Sequence, residues 1–331
     1  MKKKYSAIAI LGLSAIAVQA HAQSSTVMYG KLDLGVMKFS GDLPSDQRSP
    51  RLEQNHVSRL GFKGTEDLGD GLAALYQLEM RFNADTGTQY SSSTLFHGPT
   101  LVGLSGKFGT IKLGRNWGNV GNVSTSAIDP FEGDGVAGLN PLILPRVNNS
   151  VTYYSPSFSG FGLEVQYMFG EKPAGLAAGQ DNDGFGASIS YATDNLRLGL
   201  GARRAANSNK SIDGGMSAAY TIGAATLLAG YDWRDNKEAP NLPTTKSYVL
   251  AATYSVGLGL VKFGYTQTKN GSDNTLTNFG DVDKLRKFSL GYQHNLSKRT
   301  SLYADIANTR VNQASVSKSA NAIGVGITHN F

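Results

Sequence analysis

Residues 320–331 read ANAIGVGITHNF and carry the strongest fold signal in the chain. Ile323, Val325 and Ile327 share the parity of the terminal Phe331, whereas the intervening positions hold glycine, threonine and asparagine. A period of two is typical of a β-strand with one apolar face and one small or polar face. The stretch suits the closing strand of a membrane barrel. It equally suits an amphipathic strand at the edge of a soluble β protein, so the remaining sequence has to distinguish the two.

The first residues predict export. Met1-Lys2-Lys3-Lys4 is a basic segment, residues 8–18 form an apolar run too short to span a bilayer, and Ala20-His21-Ala22 matches a cleavage site. We therefore expect residues 1–22 to be a cleaved signal peptide and residues 23–331 to form one barrel domain. Without the three lysines of that peptide the formal charge falls from +6 to +3. Such a small excess gives no reason to expect nucleic-acid binding.

The composition argues against a helical membrane protein. The chain has 40 glycines and 15 tyrosines, and its mean hydropathy is −0.23. A bundle of transmembrane helices would be far more apolar, whereas a membrane barrel is polar on average because half of each strand faces water.

Segments with strand alternation recur along the whole mature chain. Sixteen can be counted, an even number as bacterial barrels require, and the first and last would pair to close the cylinder. The segments are 27–36, 59–64, 72–82, 100–104, 110–116, 148–154, 162–169, 185–192, 196–203, 214–220, 226–234, 248–256, 260–268, 288–296, 301–310 and 320–331. The sequence therefore predicts an all-β fold, a 16-stranded antiparallel transmembrane β-barrel.

The connections between these segments alternate in length. Short turns fall near residues 69, 107, 157, 194, 223, 258 and 298; the others are long and polar, at 38–57, 83–99, 117–147, 171–184, 205–213, 235–246, 270–284 and 311–319. A barrel of hairpins has this asymmetry, with short periplasmic turns on one rim and long extracellular loops on the other. A soluble sandwich has no reason to sort its loops in this way.

Several segments together resemble the general trimeric porins of Gram-negative bacteria, in particular the neisserial and burkholderial type. They are VMYGKLDLGV, SRLGFKGTEDLGDGLAALYQLE, FGTIKLGRNWG, NNSVTYYSPSFSGF, LSKRTSLYADIA and GVGITHNF. The resemblance implies a homotrimer in the outer membrane, in contact with its lipid, and a third loop folded into the lumen. It also implies that Phe331 belongs to the signal read by the barrel-assembly machinery.

The third long connection holds the acidic candidates for a pore constriction. Asp129, Glu132 and Asp134 alternate with proline and glycine in the stretch Asp129-Pro130-Phe131-Glu132-Gly133-Asp134-Gly135. Such an edge facing a basic wall would create a transverse field that sorts anions from cations. A solvated loop with Asx turns is the simpler interpretation. Clustered carboxylates also suggest calcium, but the ligand spacing of an EF-hand is missing, so we expect no metal site.

The opposing basic wall is predicted from the positions that match the family's basic cluster. Those positions are Arg59, Arg115 and Arg146, which Lys31 and Arg81 would extend. Alternation from Ile111 and Leu113 sends Arg115 toward lipid, so we expect a bulge near Gly114 that turns it inward. A bare guanidinium in hydrocarbon would cost about 2–4 kcal/mol. Each arginine could instead form an interior salt bridge, and Glu79 is the lumen acid placed to neutralise one of them.

Two other function classes stay open at this point. A soluble secreted β-rich binding protein shares the strand pattern, and an outer-membrane hydrolase would share the barrel. The mature chain, however, has neither a G-x-S-x-G nor an H-E-x-x-H motif. We therefore expect no enzyme and no cofactor. The predicted function is passive diffusion of ions and small hydrophilic solutes through the outer membrane, with a mild preference for anions.

Overall fold

A computed structural model describes residues 25–139, 142, 146–170, 183–206, 211–235, 243–273 and 280–331. The predicted signal peptide lies outside these residues. Of the described helices, none is long and apolar enough to cross a membrane. The only ones are two short 3₁₀ turns, Ser45–Gln47 and Thr125–Ile128.

Within the described residues, seventeen antiparallel strands form one sheet. They are β1 (Ser25–Gly41), β2 (Arg51–Glu53), β3 (Ser58–Gly69), β4 (Leu72–Phe82), β5 (Thr100–Gly106), β6 (Gly109–Trp117), β7 (Arg146–Tyr154), β8 (Phe161–Met168), β9 (Gly184–Ala192), β10 (Leu196–Arg204), β11 (Ile212–Ile222), β12 (Ala225–Arg234), β13 (Thr245–Val256), β14 (Gly259–Asp273), β15 (Gly280–Asn295), β16 (Thr300–Gln313) and β17 (Val316–Asn330).

The sheet closes on itself through β1. Its register with β17 runs from Lys31 opposite Asn330 to Gly41 opposite Ala320, and its first half, from Ser25 to Lys31, pairs with β3. Closure leaves no unpaired edge. The predicted 16-stranded barrel and the pairing of its first and last strands are therefore confirmed.

The additional strand, β2, lies in the first long connection and was not predicted. It pairs with Gly35–Met37 of β1, beyond the point where β3 leaves the ladder. The buried carboxylate of Asp33 occupies that point and accepts hydrogen bonds from the backbone N–H groups of Asn55 and His56, at 2.7 and 3.0 Å. Because the chain from 54 to 57 bends around this carboxylate, β1 changes partner from β3 to β2.

The last predicted loop, residues 311–319, is wrong. Strand β16 continues to Gln313 and β17 begins at Val316, so only Ala314 and Ser315 connect them. Polar residues led us to expect a loop, but a ladder that rises out of the membrane can carry polar residues on both faces. The backbone bonds continue there while the apolar alternation ends.

The two faces of the wall differ as the alternation predicts. On β17 the side chains of Ile323, Val325 and Ile327 lie on the outside and are close to half exposed, whereas Ala322 and Thr328 are buried inside. The interior is asymmetric. A buried apolar cluster joins Ile128, Phe131, Val136 and Leu139 of the long β6–β7 connection to the inner wall of β1, β11–β13, β16 and β17.

Candidate pore constriction

Five cations line one side of the barrel interior, and we call them the cationic wall: Lys31, Arg59, Arg81, Arg115 and Arg146. The first three form a row across neighbouring strands, with Lys31 opposite Arg59 and Arg59 opposite Arg81. Residues directly opposite in an antiparallel pair have Cβ atoms about 5 Å apart. The strand register therefore brings three like charges side by side.

Trp117 contacts Arg81 and a fourth member of the wall, Arg146. The guanidinium of Arg146 lies 4.0 Å from the centre of the indole ring, and that of Arg81 lies 5.9 Å from it. Contacts of this kind contribute about 0.5–2 kcal/mol, more where water is excluded. The indole thus holds Arg146 at a set position without neutralising its charge.

Arg115 reaches the same region through an irregular strand. The β6–β7 register shifts between Gly114 and Asn116, and Gly114 has φ +124°, a conformation that favours glycine. The guanidinium donates to the carbonyl oxygen of His97 at 3.2 and 3.3 Å and to the side chain of Asn148. The irregularity expected at Gly114 is therefore present in the β6–β7 ladder, while the β5–β6 ladder keeps Arg115 opposite Thr100.

Glu79 is the one described carboxylate that lies within ion-pair distance of any of the four arginines, and its partner is Arg81. Glu79 is 6% exposed, and its Oε1 lies 3.2 Å from Nε of Arg81. Its other oxygen accepts a hydrogen bond from Tyr29 at 3.1 Å. Within the described part of the chain, Arg59, Arg115 and Arg146 form no ion pair, so the cationic wall keeps a net positive charge.

The charge of the cationic wall affects the pKa of His97, which lies in the loop above it. Burial lowers the pKa of its imidazole, and Arg146, Arg115 and Arg81 lower it further. Three arginines acting on one ring indicate that their fields overlap.

The long β6–β7 connection, which we call loop 3, runs inside the barrel along the opposite wall. Asn119 donates its N–H to Gln166 of β8 at 3.1 Å, and Thr125 donates its N–H to Asp232 of β12 at 3.0 Å. Further along, Lys287 of β15 donates to the carbonyl oxygen of Gly138 at 2.6 Å. Loop 3 is therefore fastened to successive strands and folds inward, as predicted.

Glycines make room for loop 3 on that wall, and we call this set the loop bed: Gly186, Gly199, Gly215, Gly230, Gly264, Gly291 and Gly324. A Cβ added at Gly230 would lie 2.9 Å from Thr125 and 3.0 Å from Ile128, and one at Gly291 would lie 2.8 Å from Phe131. A Cβ at Gly264 would lie 2.5 Å from Leu139. Side chains at these positions would push the loop into the lumen. The sequence analysis missed this set, although each glycine has inward parity in its strand.

The three predicted acids of loop 3 have different surroundings. Glu132 lies 2.5 Å from Nζ of Lys31 and its side chain is half exposed. Burial alone would raise the pKa of Glu132, but Lys31, His56 and Arg59 outweigh it and hold the pKa at about 2. Glu132 therefore brings one acid directly onto the cationic wall.

Asp134 and Asp129 are engaged elsewhere. Asp134 accepts the N–H of Val57 at 3.0 Å and is bonded to Nδ1 of His56 at 3.0 Å. Asp129 accepts the N–H groups of Phe131 and Leu139, at 2.9 and 2.8 Å, within its own loop. Burial raises the pKa of Asp129 to about 6 despite these bonds. Both carboxylates thus hold the shape of loop 3 rather than projecting freely toward the arginines.

Phe331 lies at the seam of the barrel. Its N–H donates to the carbonyl oxygen of Gly30 at 3.1 Å, and Gly30 returns the bond at 3.0 Å. The phenyl ring covers Gly30 so closely that a Cβ there would clash with it. The terminal residue is therefore part of the β1–β17 seam.

The chain matches a family model described as Gram-negative porin over residues 7–314. It is 31% identical to outer membrane porin protein 32 of Delftia acidovorans, and 30% identical to an outer membrane porin protein of Bordetella pertussis. Each alignment covers 100% of both chains. Among solved structures, an anion-selective porin from Comamonas acidovorans is 28% identical with a TM-score of 0.73, covering 93% of this chain and 100% of that one. The protein belongs to the Gram-negative porin family and is an outer-membrane diffusion channel, not an enzyme.

Proposed function

We propose that this channel favours small hydrophilic anions and that the cationic wall is its selective element. The observation that carries the proposal is the cationic wall of five side chains, of which Arg59, Arg115 and Arg146 form no ion pair within the described part of the chain. Because arginine stays charged at any physiological pH, such a field does not titrate away. The similarity to a porin named as anion-selective supports the same direction.

The constriction that we propose lies between loop 3 and the cationic wall. Its acidic side contributes less to the transverse electric field than the three acids of the sequence suggested. Glu132 supplies the exposed acid, while Asp129 and Asp134 act mainly inside the loop and at its attachment. Solutes would therefore pass beside a basic surface that keeps a net positive charge. Passage would depend on charge and size, without a tight binding pocket.

Reversal potentials in a salt gradient test the proposal. We expect the wild-type channel reconstituted in a planar bilayer to prefer chloride over potassium. Replacing Arg59 by glutamate (Arg59→Glu) reverses one charge in the middle of the row, so the potential should move toward cation preference. Arg299→Glu, on the short turn between β15 and β16, makes the same charge change away from loop 3 and should have a much smaller effect. Equal potentials for the wild type and Arg59→Glu would contradict the assignment.

We further propose a homotrimer of outer-membrane barrels that mature by loss of residues 1–22 and assemble through the barrel-assembly machinery, with Phe331 in the recognition signal. A solved relative described as a trimer form has the same fold, and the two-way backbone bonding of Phe331 to Gly30 makes this residue part of the seam. We expect a heat-modifiable SDS-resistant trimer whose protomer begins at Gln23. Phe331→Ala should lower the yield of this trimer. An unchanged yield would show that Phe331 is not part of the recognition signal. A monomer in mild detergent would contradict the proposed trimer.

A further inference from the structure

Glu132 is an acid that lies directly against the cationic wall of a channel for which we propose a preference for anions. Its carboxylate lies 2.5 Å from Nζ of Lys31. The side chain of Lys31 is 4% exposed, whereas that of Glu132 is 52% exposed. The carboxylate is therefore in contact with the lumen, while the ammonium group that it neutralises is buried.

Lys31 has no second carboxylate to neutralise it within the described part of the chain. Of the six ion pairs found there, this lysine takes part only in the one with Glu132. Asp33, two positions along β1, is already occupied, because it accepts hydrogen bonds from two backbone N–H groups and two side-chain hydroxyls. A buried ammonium group without a counter-charge is unfavourable. Lys31 therefore attracts another anion whenever the carboxylate of Glu132 moves away.

The backbone of Glu132 is strained, and loop 3 is fixed on both sides of it. Glu132 has φ +61°, in the left-handed region where a residue with a Cβ is unfavourable. Phe131 before it is fully buried in the apolar cluster, and Asp134 after it accepts the N–H of Val57 at 3.0 Å. The main chain therefore keeps Glu132 beside Lys31, whereas its half-exposed side chain can turn into the lumen and return.

The group that occupies this site indicates which solutes suit it. Glu132 presents an alkyl carboxylate to Lys31, and a small solute with the same group can form the same contact. Arg59, directly opposite Lys31 in the β1–β3 ladder, forms no ion pair with any described residue and adds positive charge beside the site. Because Glu132 is attached to loop 3, it competes with any solute at a high effective concentration.

We propose that Lys31 forms a carboxylate-binding subsite and that Glu132 is its tethered competitor. A small carboxylate solute binds when Glu132 turns into the lumen, and the return of Glu132 releases the solute. Conduction requires binding that is strong enough to admit a solute and weak enough to release it, and the competitor supplies the second condition. The subsite rests on the proposed function, because anions have to enter the constriction to reach it.

Inhibition of the channel current by propionate tests the proposal. Full-length channels are reconstituted in a planar bilayer and titrated with propionate in KCl at constant ionic strength. Glu132→Gly removes the tethered carboxylate and suits the φ of +61°, so loop 3 should keep its path. Half-inhibition should then require about tenfold less propionate than in the wild type, or less still, because a hydrogen bond between charged groups contributes at least this factor.

Two further variants assign the binding to Lys31. Glu132→Gly/Lys31→Met replaces the ammonium group by an uncharged side chain of similar length and should lose the gain in propionate affinity. Glu132→Gln keeps the length of the side chain and removes only its charge, so it should also be inhibited at lower propionate concentrations than the wild type. Glu66→Gln makes the same charge change near the short turn after β3, away from loop 3, and should respond as the wild type does.

Wild-type sensitivity to propionate in both Glu132→Gly and Glu132→Gln would overturn the proposal. An undiminished gain in the double variant would also overturn it, because propionate would then bind elsewhere. Nitrate is a weaker base and should inhibit Glu132→Gly less than propionate does; equal inhibition by the two anions would overturn the assignment to carboxylates.

This test is distinguishable from that of the proposed function, since reversal potentials in KCl involve no propionate. A wild-type channel that prefers potassium would contradict the anion preference, while propionate binding that depends on Lys31 would still appear as a loss of total current. A preference for chloride without any gain in Glu132→Gly and Glu132→Gln would overturn the subsite alone.

Discussion

The two sides of the barrel interior are built on the same alternating strands, yet they have opposite characters. On β1, β3, β4, β6 and β7 the inward positions carry the cationic wall, and Arg59 forms no ion pair with any described residue. On β9–β12, β14, β15 and β17 the inward positions include the glycines of the loop bed, against which Phe131 is 0% exposed. On the cationic side loop 3 meets the wall through the ion pair of Glu132 with Lys31, and the large charged side chains leave it little surface on which to pack. The other side is filled because its residues are small.

This difference supports the proposed constriction, in which loop 3 narrows a barrel wide enough to leave a channel. Asp232 and Gln166 accept hydrogen bonds from loop 3 and Lys287 donates one to it, which positions the loop, and apolar packing around Phe131 holds it against the wall. In that proposal the cationic wall faces the remaining opening. Changes to the loop bed should therefore alter the size of the pore, while changes to the cationic wall should alter its selectivity.

Phe131→Ala should have the largest effect on the difference between the loop bed and the cationic wall. Truncating a fully buried phenylalanine costs about 3–5 kcal/mol, and here the loss falls on the docking of loop 3 and not on the strand ladder. We expect loop 3 to become protease-sensitive and conductance to rise, while the barrel keeps its SDS resistance. Phe158→Ala, on a short turn where the ring is 79% exposed, is the control. A protease-resistant loop 3 in Phe131→Ala would show that apolar packing does not hold it.

Gly230→Ala should change the conductance less than Phe131→Ala and in the opposite direction. The added methyl group would meet Thr125 and Ile128 at 2.9 and 3.0 Å, and overpacking of this kind costs about 1–3 kcal/mol. Loop 3 should shift toward the cationic wall, so single-channel conductance in concentrated KCl should fall with selectivity unchanged. Ala229→Val adds volume to the outer face of the same strand and should leave conductance as it is. A conductance at or above the wild-type value in Gly230→Ala would contradict the conclusion that the glycines of the loop bed make room for loop 3.

The smallest expected effect concerns the attachment of the loop 3 tip, and it depends on pH. Burial lowers the pKa of His56, but Asp134, Glu132 and Asp33 outweigh it, so the net pKa is raised. A raised histidine pKa stabilises the folded contact fully below the ordinary value of 6.5, and this stabilisation is lost as pH rises through the higher folded value. The bond to Asp134 should therefore weaken on the alkaline side, by on the order of 1 kcal/mol.

Amide hydrogen exchange measures this change. The N–H of Val57, which donates to Asp134, should lose protection as pH rises, after correction for the intrinsic rate. His56→Gln should remove the pH dependence, while His294→Gln, next to a short turn on the other rim, should retain it. Tyr303 packs on His56 with ring centres 5.6 Å apart, so a volume-conserving replacement is preferable to alanine. The same pH dependence in His56→Gln would assign the titration to another group.

Much of the fold could be predicted from the sequence because barrel strands repeat a local pattern. The seam formed by residues 320–331 is an example, since parity alone identified which side chains face lipid. The conflict at Arg115 was also visible, because an arginine at a lipid-facing position next to a glycine calls for a bulge. Strand β2 was not predictable, since it depends on Asp33 binding a segment more than twenty positions away.

In the constriction, features that depend on residues close together along the chain could be predicted from the sequence. Features that depend on residues far apart along the chain could not. Charges, alternation and the short–long order of connections are local properties, and they identified the barrel. The resemblance to the porin family implied the positions of the basic cluster and the inward folding of the third loop. The path of loop 3 depends on contacts such as Lys287 with Gly138, 149 positions apart, and Thr125 with Asp232, 107 positions apart. Only the closed barrel brings these partners together. For the same reason, Asp129 and Glu132 look alike in sequence, but one binds its own loop while the other lies on the cationic wall.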